Sequence, residues 1–223
     1  MKFIHGNQPE ELNVTDQMVY GKRFYTTPDG AKYPSITTVL GSGPKPWLEA
    51  WKTSLGPDKA AKETQRCSDR GTALHDMVEK YLKNVDAPTE GHDRTNIGMF
   101  NQIKLQLNKR VGEIRAQEIP LYSHALKVAG RVDCVAEYDG VLSIIDFKTS
   151  NNNKTDDMIE DYFLQCTAYA VMFFEMYQVP IDQIVVVIAV EKGLMPLVFK
   201  REIFDYIQPL QDRIAAYYDR KAQ

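Results

Sequence analysis

Cysteine is scarce in this chain, and what there is does not form a pattern. Cys67, Cys134 and Cys166 are odd in number and far apart, which excludes a disulfide framework and a CxxC metal knuckle. Long apolar runs are missing too, so no segment is expected to cross a bilayer. The start, MKFIHGNQPEELN, turns polar after four residues and lacks the apolar core of a secretory signal, so a cytoplasmic protein is expected. An excess of positive charge is also lacking: the formal charge is −3 and the pI about 5.8. Bulk electrostatic capture of nucleic acid is therefore disfavoured, although a local basic patch would suffice. No internal repeat or low-complexity linker interrupts the 223 residues, a length suited to one substantial domain.

Hydrophobic periodicity divides the chain into helices and strands. RFYTTPDGAKYP offers a hairpin through its Pro-Asp-Gly turn. PSITTVLGSG and PKPWLEAWKTSLG suggest two short helical pieces. Helical patterning strengthens from Asp58 to about Lys83, with a break expected near Asp69-Arg70-Gly71 and a buried stripe at Leu74, Val78 and Leu82. Ile97–Val111 is a further amphipathic helix.

The pattern then changes period. Gly112–Ser123, Lys127–Tyr138 and Val141–Thr149 read as consecutive strands, the last two joined by a tight Asp139-Gly140 hairpin. Met158–Tyr177 is a long helix, and QIVVVIAV (Gln183–Val190) is a strand buried on both faces. A short strand at Leu197–Arg201 and a helix from Phe204 to Lys221 follow. This order predicts an α/β fold with a mixed central sheet flanked by helices.

In Val141–Thr149, alternation puts Leu142, Ile144, Asp146 and Lys148 on one face. On the preceding strand, Arg131, Asp133 and Val135 share a face. If Tyr138 pairs near Val141, Asp133 and Asp146 stand opposite each other. Two facing carboxylates repel unless a cation lies between them, and hard oxygen ligands suit Mg²⁺ or Mn²⁺. Asp146 and Lys148 alone would make an ordinary salt bridge at a strand end, and the second Asp changes that weighing.

The run GRVDCVAEYDGVLSIIDFKTS resembles the core of the PD-(D/E)XK nucleases, in their RecB-like branch. RGTALHDMVEKYL resembles the branch's upstream helix, in which a His supplies a metal ligand; His75 holds that place. Glu118 matches a recurrent acid, and Gln165 and Tyr169 match a Q-x-x-x-Y signature. PSITTVL and the His helix are similar to the mitochondrial genome maintenance exonuclease group and its phage relatives.

The resemblance implies a restriction-endonuclease-like core (αβββαβ) over residues 58–190. An N-terminal helical extension over 1–57 and a C-terminal strand and helix over 191–223 would complete one domain. It implies a metal-dependent deoxyribonuclease, in a bacterial or phage-infected cell, acting as an exonuclease on single-stranded DNA or free ends. A structure-selective endonuclease and a non-catalytic DNA-binding protein are the rivals.

On this reading the metal set is His75, Asp133, Asp146 and the backbone carbonyl of Phe147. Lys148, Glu118, Gln165 and Tyr169 complete the catalytic group. His75 and Glu79 lie four apart on one helical face, and Glu79 reads equally as a supporting or a surface charge. Some relatives carry four cysteines around an iron–sulfur cluster; this chain has three, so none is expected. Trp47, Trp51 and Tyr33 offer stacking faces, and Lys104, Lys109, Arg110 and Arg115 offer phosphate contacts. Aromatics at such spacing more often pack a core, and such cations more often form a solvated helix face. The expected DNA contacts are Trp47, Arg70, Lys104 and Arg115.

Overall fold

At Asp139-Gly140 the backbone takes two successive positive φ values, 54° and 80°, the conformation of a two-residue hairpin whose twist matches its strands. It joins β5 (Val128–Tyr138) to β6 (Val141–Ser150), with Tyr138 paired to Val141 as the sequence predicts. The structure, a computed structural model, describes residues 2–10 and 12–222, apart from the side chain of Trp47.

β4 (Val111–Ser123) runs antiparallel beside β5. On the other side β6 pairs in parallel with β7 (Gln183–Val190), and β8 (Leu197–Glu202) returns antiparallel. The result is a five-stranded mixed sheet in the order β4-β5-β6-β7-β8. A parallel pair needs a crossover, here α5 (Glu160–Tyr177). Residues 4–6 lie along the outer edge of β4, where Gly6 N–H donates to the Ile114 carbonyl and Ile114 N–H to the Ile4 carbonyl; this covers part of an otherwise open edge.

The sheet is covered on both faces, which is why β7 is apolar throughout. Ile184, Val186 and Ile188 pack with α5, α1 (Ile36–Gly41) and α6 (Ile207–Ala222). Val185, Val187 and Ala189 pack with α3 (Pro57–Leu82) and α4 (Arg94–Arg110). Burying each larger side chain contributes about 1.5–3 kcal/mol relative to leaving it in water.

Three details differ from the sequence reading. α3 is unbroken through Gly71. A mid-helix Gly costs about 1 kcal/mol against Ala, which the burial of Leu74, Met77, Val78 and Leu82 one face along outweighs. α4 starts at Arg94 because the Asp93 side chain accepts from the N–H groups of Thr95 and Asn96. The N-terminal hairpin is a three-stranded sheet of β1 (Thr15–Val19), β2 (Lys22–Thr26) and β3 (Lys32–Pro34). β1 is almost wholly exposed, so it lacks the apolar alternation by which a strand is read. A second helix, α2 (Pro46–Leu55), follows α1.

Candidate metal centre and active site

Two strands bend at one level. Along β4, Ala116, Ile119 and Leu121 all face the α5 side, so the alternation slips by one residue between 116 and 119. Along β5, Val132 and Val135 both face that side as well. The residues at the slip are Glu118 and Asp133, which the flanking pairs Gln117↔Cys134 and Ile119↔Val132 set across from each other. Glu118 takes φ 51°, a left-handed conformation that is uncommon and strained for a residue with a side chain and that clusters at functional sites. The Arg131 guanidinium donates to the Glu118 carbonyl and braces the bend.

His75 on α3 completes the cluster. One ligand atom from each of His75, Glu118 and Asp133 lies within 4.8 Å of the others, and His75 Nδ1 is 3.5 Å from Asp133 Oδ2. Burial, then the neighbouring charges of Asp133 and Glu79, pushes the Glu118 carboxyl up to about 8. Without a cation, this site resists holding both carboxylates ionised. An imidazole and two carboxylates are a fitting donor set for a divalent cation.

Glu118 was read as an accessory acid; the geometry makes it a candidate ligand. Asp146 was expected to face Asp133. The register would bring them together, but the ladder ends one step earlier, at Cys134↔Ile145. There Asp133 Oδ2 accepts the Phe147 N–H at 2.9 Å.

Asp146 is 1% exposed and is occupied by Lys148, whose Nζ donates to Oδ1 at 2.6 Å. Oδ2 lies 2.5 Å from the same nitrogen but accepts no aligned hydrogen bond. Burial raises the Asp146 carboxyl above the carboxylate range, and the Lys148 ammonium pulls it part of the way back. Desolvation works against the Lys148 charge, yet Asp146 and Asp133 outweigh it and hold the amine protonated.

On α5, Gln165 Nε2 donates to Asp146 Oδ1 at 3.2 Å and to the Tyr169 hydroxyl at 3.1 Å, so the Q-x-x-x-Y spacing serves to orient Asp146. Gly130 explains the Gly-Arg step before Asp133. A Cβ there would meet Tyr169 Cε1 at 2.7 Å, so only glycine lets the ring lie against the strand.

His75, Glu118, Gly130, Asp133, Lys148, Gln165 and Tyr169 line a cleft of 240 Å³, with Asp146 buried behind Lys148. Its opposite wall was not foreseen from the sequence: Arg23 and Tyr25 from β2, with Ser35 and Thr37 at the start of α1. PSITTVL was noted, but only the Ser35 side chain, which caps Thr38 N–H, gave a local signal for its geometry.

The expected DNA contacts fare differently. Arg70 is 5% exposed and is held by Glu191 and Asn151, so it ties α3 to the ends of β7 and β6. Lys104 lies over the Tyr81 ring, Arg115 pairs with Glu113 at 2.6 Å, and neither lines the cleft. The side chain of Trp47 lies outside the described residues. Trp51 is half-buried on α2, and Tyr33 bonds His124 at 2.8 Å. Glu79 pairs with Lys83 at 2.5 Å. Cys134 and Cys166 are buried on opposite faces of the sheet. Among the described residues, no helix is long and apolar enough to cross a membrane.

The sequence pattern of the PD-(D/E)XK nuclease superfamily matches residues 85–216. Mitochondrial genome maintenance exonuclease 1 of Mus musculus is 34% identical over 129 residues, 54% of this chain and 38% of that protein. The Homo sapiens protein of the same name is 31% identical over 147 residues, 61% of this chain and 42% of that protein. That of Xenopus tropicalis is 28% identical over 173 residues, 72% and 49%. The chain spans less than half the length of these relatives. A solved structure from Eubacterium rectale superposes with a TM-score of 0.43 at 12% identity, over 67% of this chain and 68% of that one.

Proposed function

This chain belongs to the PD-(D/E)XK nuclease superfamily, and from that premise we propose that it is a metal-dependent deoxyribonuclease. It hydrolyses phosphodiester bonds as an exonuclease on single-stranded DNA or free ends. The observation that carries the reading is the meeting of His75, Glu118 and Asp133 beside the Lys148–Asp146 pair in one cleft.

His75, Glu118 and Asp133 would hold the cation, Mg²⁺ or Mn²⁺, with Asp146 Oδ2 and the Phe147 carbonyl as further donors. When bound, such an ion acidifies a water and offsets charge on the phosphate under attack. Lys148 keeps its proton, so it orients the attacking water and stabilises negative charge developing on the phosphate oxygens. Gln165 and Tyr169 fix the Asp146 carboxylate, and with it the position of the Lys148 ammonium. Arg23 and Arg131, at the cleft wall, suit the phosphate charge.

Support for end dependence comes from the exonucleases named above. We also propose a setting in the cytoplasm of a bacterium or a phage-infected cell, although the animal relatives named above are called mitochondrial. Linear and circular single strands incubated with Mg²⁺ or Mn²⁺ test the reading. Loss of the linear strand and survival of the circle are expected. Rapid nicking of the circle would move the assignment to an endonuclease, and inertness toward both would sink it.

A further inference from the structure

A second depression, of 450 Å³, opens beside the metal cleft, and the two share Arg23, Ser35 and Thr37. Its floor is the β1–β2 hairpin and α1, and none of its lining residues is acidic. Lys22 and Arg23 line it from β2. Arg220 reaches the same groove from α6 and donates to Ser42 Oγ at 2.9 Å. In a chain of net charge −3, this gathers cations from two distant segments.

The groove is also held in shape. Arg23 N–H donates to Thr38 Oγ1 at 3.2 Å, and its carbonyl accepts from Ser35 N–H at 2.8 Å. The guanidinium therefore leaves a fixed backbone at the junction of groove and cleft. Among the described residues its charged partner is Asp16, 3.5 Å away and partly exposed.

At the rim stands Tyr20, 99% exposed. With Gly21 it forms the two-residue turn between Val19 and Lys22, at φ 48° and 72°. Such a turn favours Asn or Gly at its first position. A tyrosine there is disfavoured and buries nothing, so neither folding nor solubility accounts for it. Met18, two residues before it, and Gly21, directly after it, line the groove.

We propose that this groove carries the single DNA strand adjoining the scissile phosphate. Backbone phosphates lie on Lys22, Arg23 and the neighbouring hydroxyls, and a base stacks on Tyr20. An unpaired strand fits better than a duplex because its bases present free π-faces to an exposed ring. The inference rests on the nuclease reading, which it deepens by placing the substrate on the N-terminal sheet.

Anisotropy of a labelled oligothymidylate, with chelator present so that nothing is cut, reads binding directly. Lys22→Glu and Tyr20→Ala should each weaken affinity by about tenfold. Lys22→Ala should flatten the dependence of log affinity on log salt by about 0.7, the slope for one single-strand phosphate contact. Lys104→Ala, remote on α4, should bind as wild type does. Mn²⁺-dependent cleavage by the unmodified protein is measured in parallel. Cleavage with unaltered binding by the groove variants overturns the strand path and leaves the nuclease reading intact. Absence of cleavage with weakened variant binding has the opposite meaning. Absence of measurable binding by the unmodified protein also overturns the path.

Discussion

Asp133 closes the β5–β6 ladder with its side chain: where backbone pairing stops at Cys134↔Ile145, its carboxylate takes the Phe147 N–H at 2.9 Å. The residue therefore serves the sheet and, on the proposed function, the cation as well. Asp133→Asn keeps an acceptor for Phe147 and removes a charge facing Glu118. It should keep the melting temperature of the metal-free protein, or raise it, while cleavage falls below detection. Asp133→Ala loses both duties and should be less stable by about 1–3 kcal/mol, because the Phe147 N–H is left without its partner. Thermal melts and Mg²⁺-dependent cleavage on the two variants separate these roles.

Glu118 makes stability fall with rising pH in the metal-free state. Burial and the nearby carboxylates push its carboxyl up to about 8 in the fold, from an ordinary 4.5. Between those values the folded form binds more protons than the unfolded one, so stability is highest below the lower value and is lost as pH rises through the upper. Melts in chelator should therefore decline from pH 5 to pH 8, and Glu118→Gln should flatten the slope. Added divalent cation should raise the melting temperature more at pH 8 than at pH 5. A flat profile in the unmodified protein would count against the buried, charge-crowded setting of Glu118.

Lys148 separates folding from chemistry. Lys148→Met leaves the Asp146 carboxylate buried with Gln165 as its remaining donor. Breaking a buried pair costs roughly 3–5 kcal/mol, and the lower end is expected because Lys148 is 19% exposed. The loss should shrink at low pH, where Asp146, already raised, takes up a proton. Single-turnover cleavage should drop by a factor of about 10²–10⁴. The double variant Lys148→Met with Asp146→Asn should regain most of the stability and none of the activity.

Gly130→Ala is the smallest change with a large expected effect. The added methyl would sit 2.7 Å from Tyr169 Cε1, so the ring must move and carry its bond to Gln165 with it. Overpacking of this kind costs about 1–3 kcal/mol. Tyr169→Leu in the same chain should recover stability but not cleavage, because the Gln165–Asp146 alignment is still lost. Rescue of full activity by the second substitution would show that Tyr169 is only a packing residue.

The central sheet was legible because each strand carried its own signal. Asp139-Gly140 announced the hairpin, period-2 alternation announced β5 and β6, and the run from Gln183 announced the doubly buried β7. Asp133, Asp146 and Lys148 were singled out from that register; Asp133 and Lys148 line the cleft, while Asp146 is held by Lys148 and not opposite Asp133, because the ladder ends at Cys134↔Ile145. Glu118 as a ligand was not legible, because its direction depends on a left-handed residue within a strand that alternation assumes to be regular. Arg70 misled because a cation beside a suspected site reads as exposed until its partners, Glu191 and Asn151, are known from the distant ends of β7 and β6. The N-terminal wall was legible only as a local hairpin: RFYTTPDGAKYP showed its turn, but that Arg23 and Tyr25 face the cleft depends on long-range packing that no local pattern carries.

The parallel pairing of β6 with β7 has a kinetic meaning. Asp146 and Lys148 lie on a strand whose neighbour on that side is supplied only after the whole of α5 has been laid down. Such long-range pairing pays its loop-closure cost before its contacts are gained, and it forms slowly. On a growing chain the β5–β6 hairpin can close early, while Asp146 still lacks both β7 and the α5 residue Gln165. Completion of this cleft is thus a late event in the biogenesis of the molecule, reached when the crossover docks.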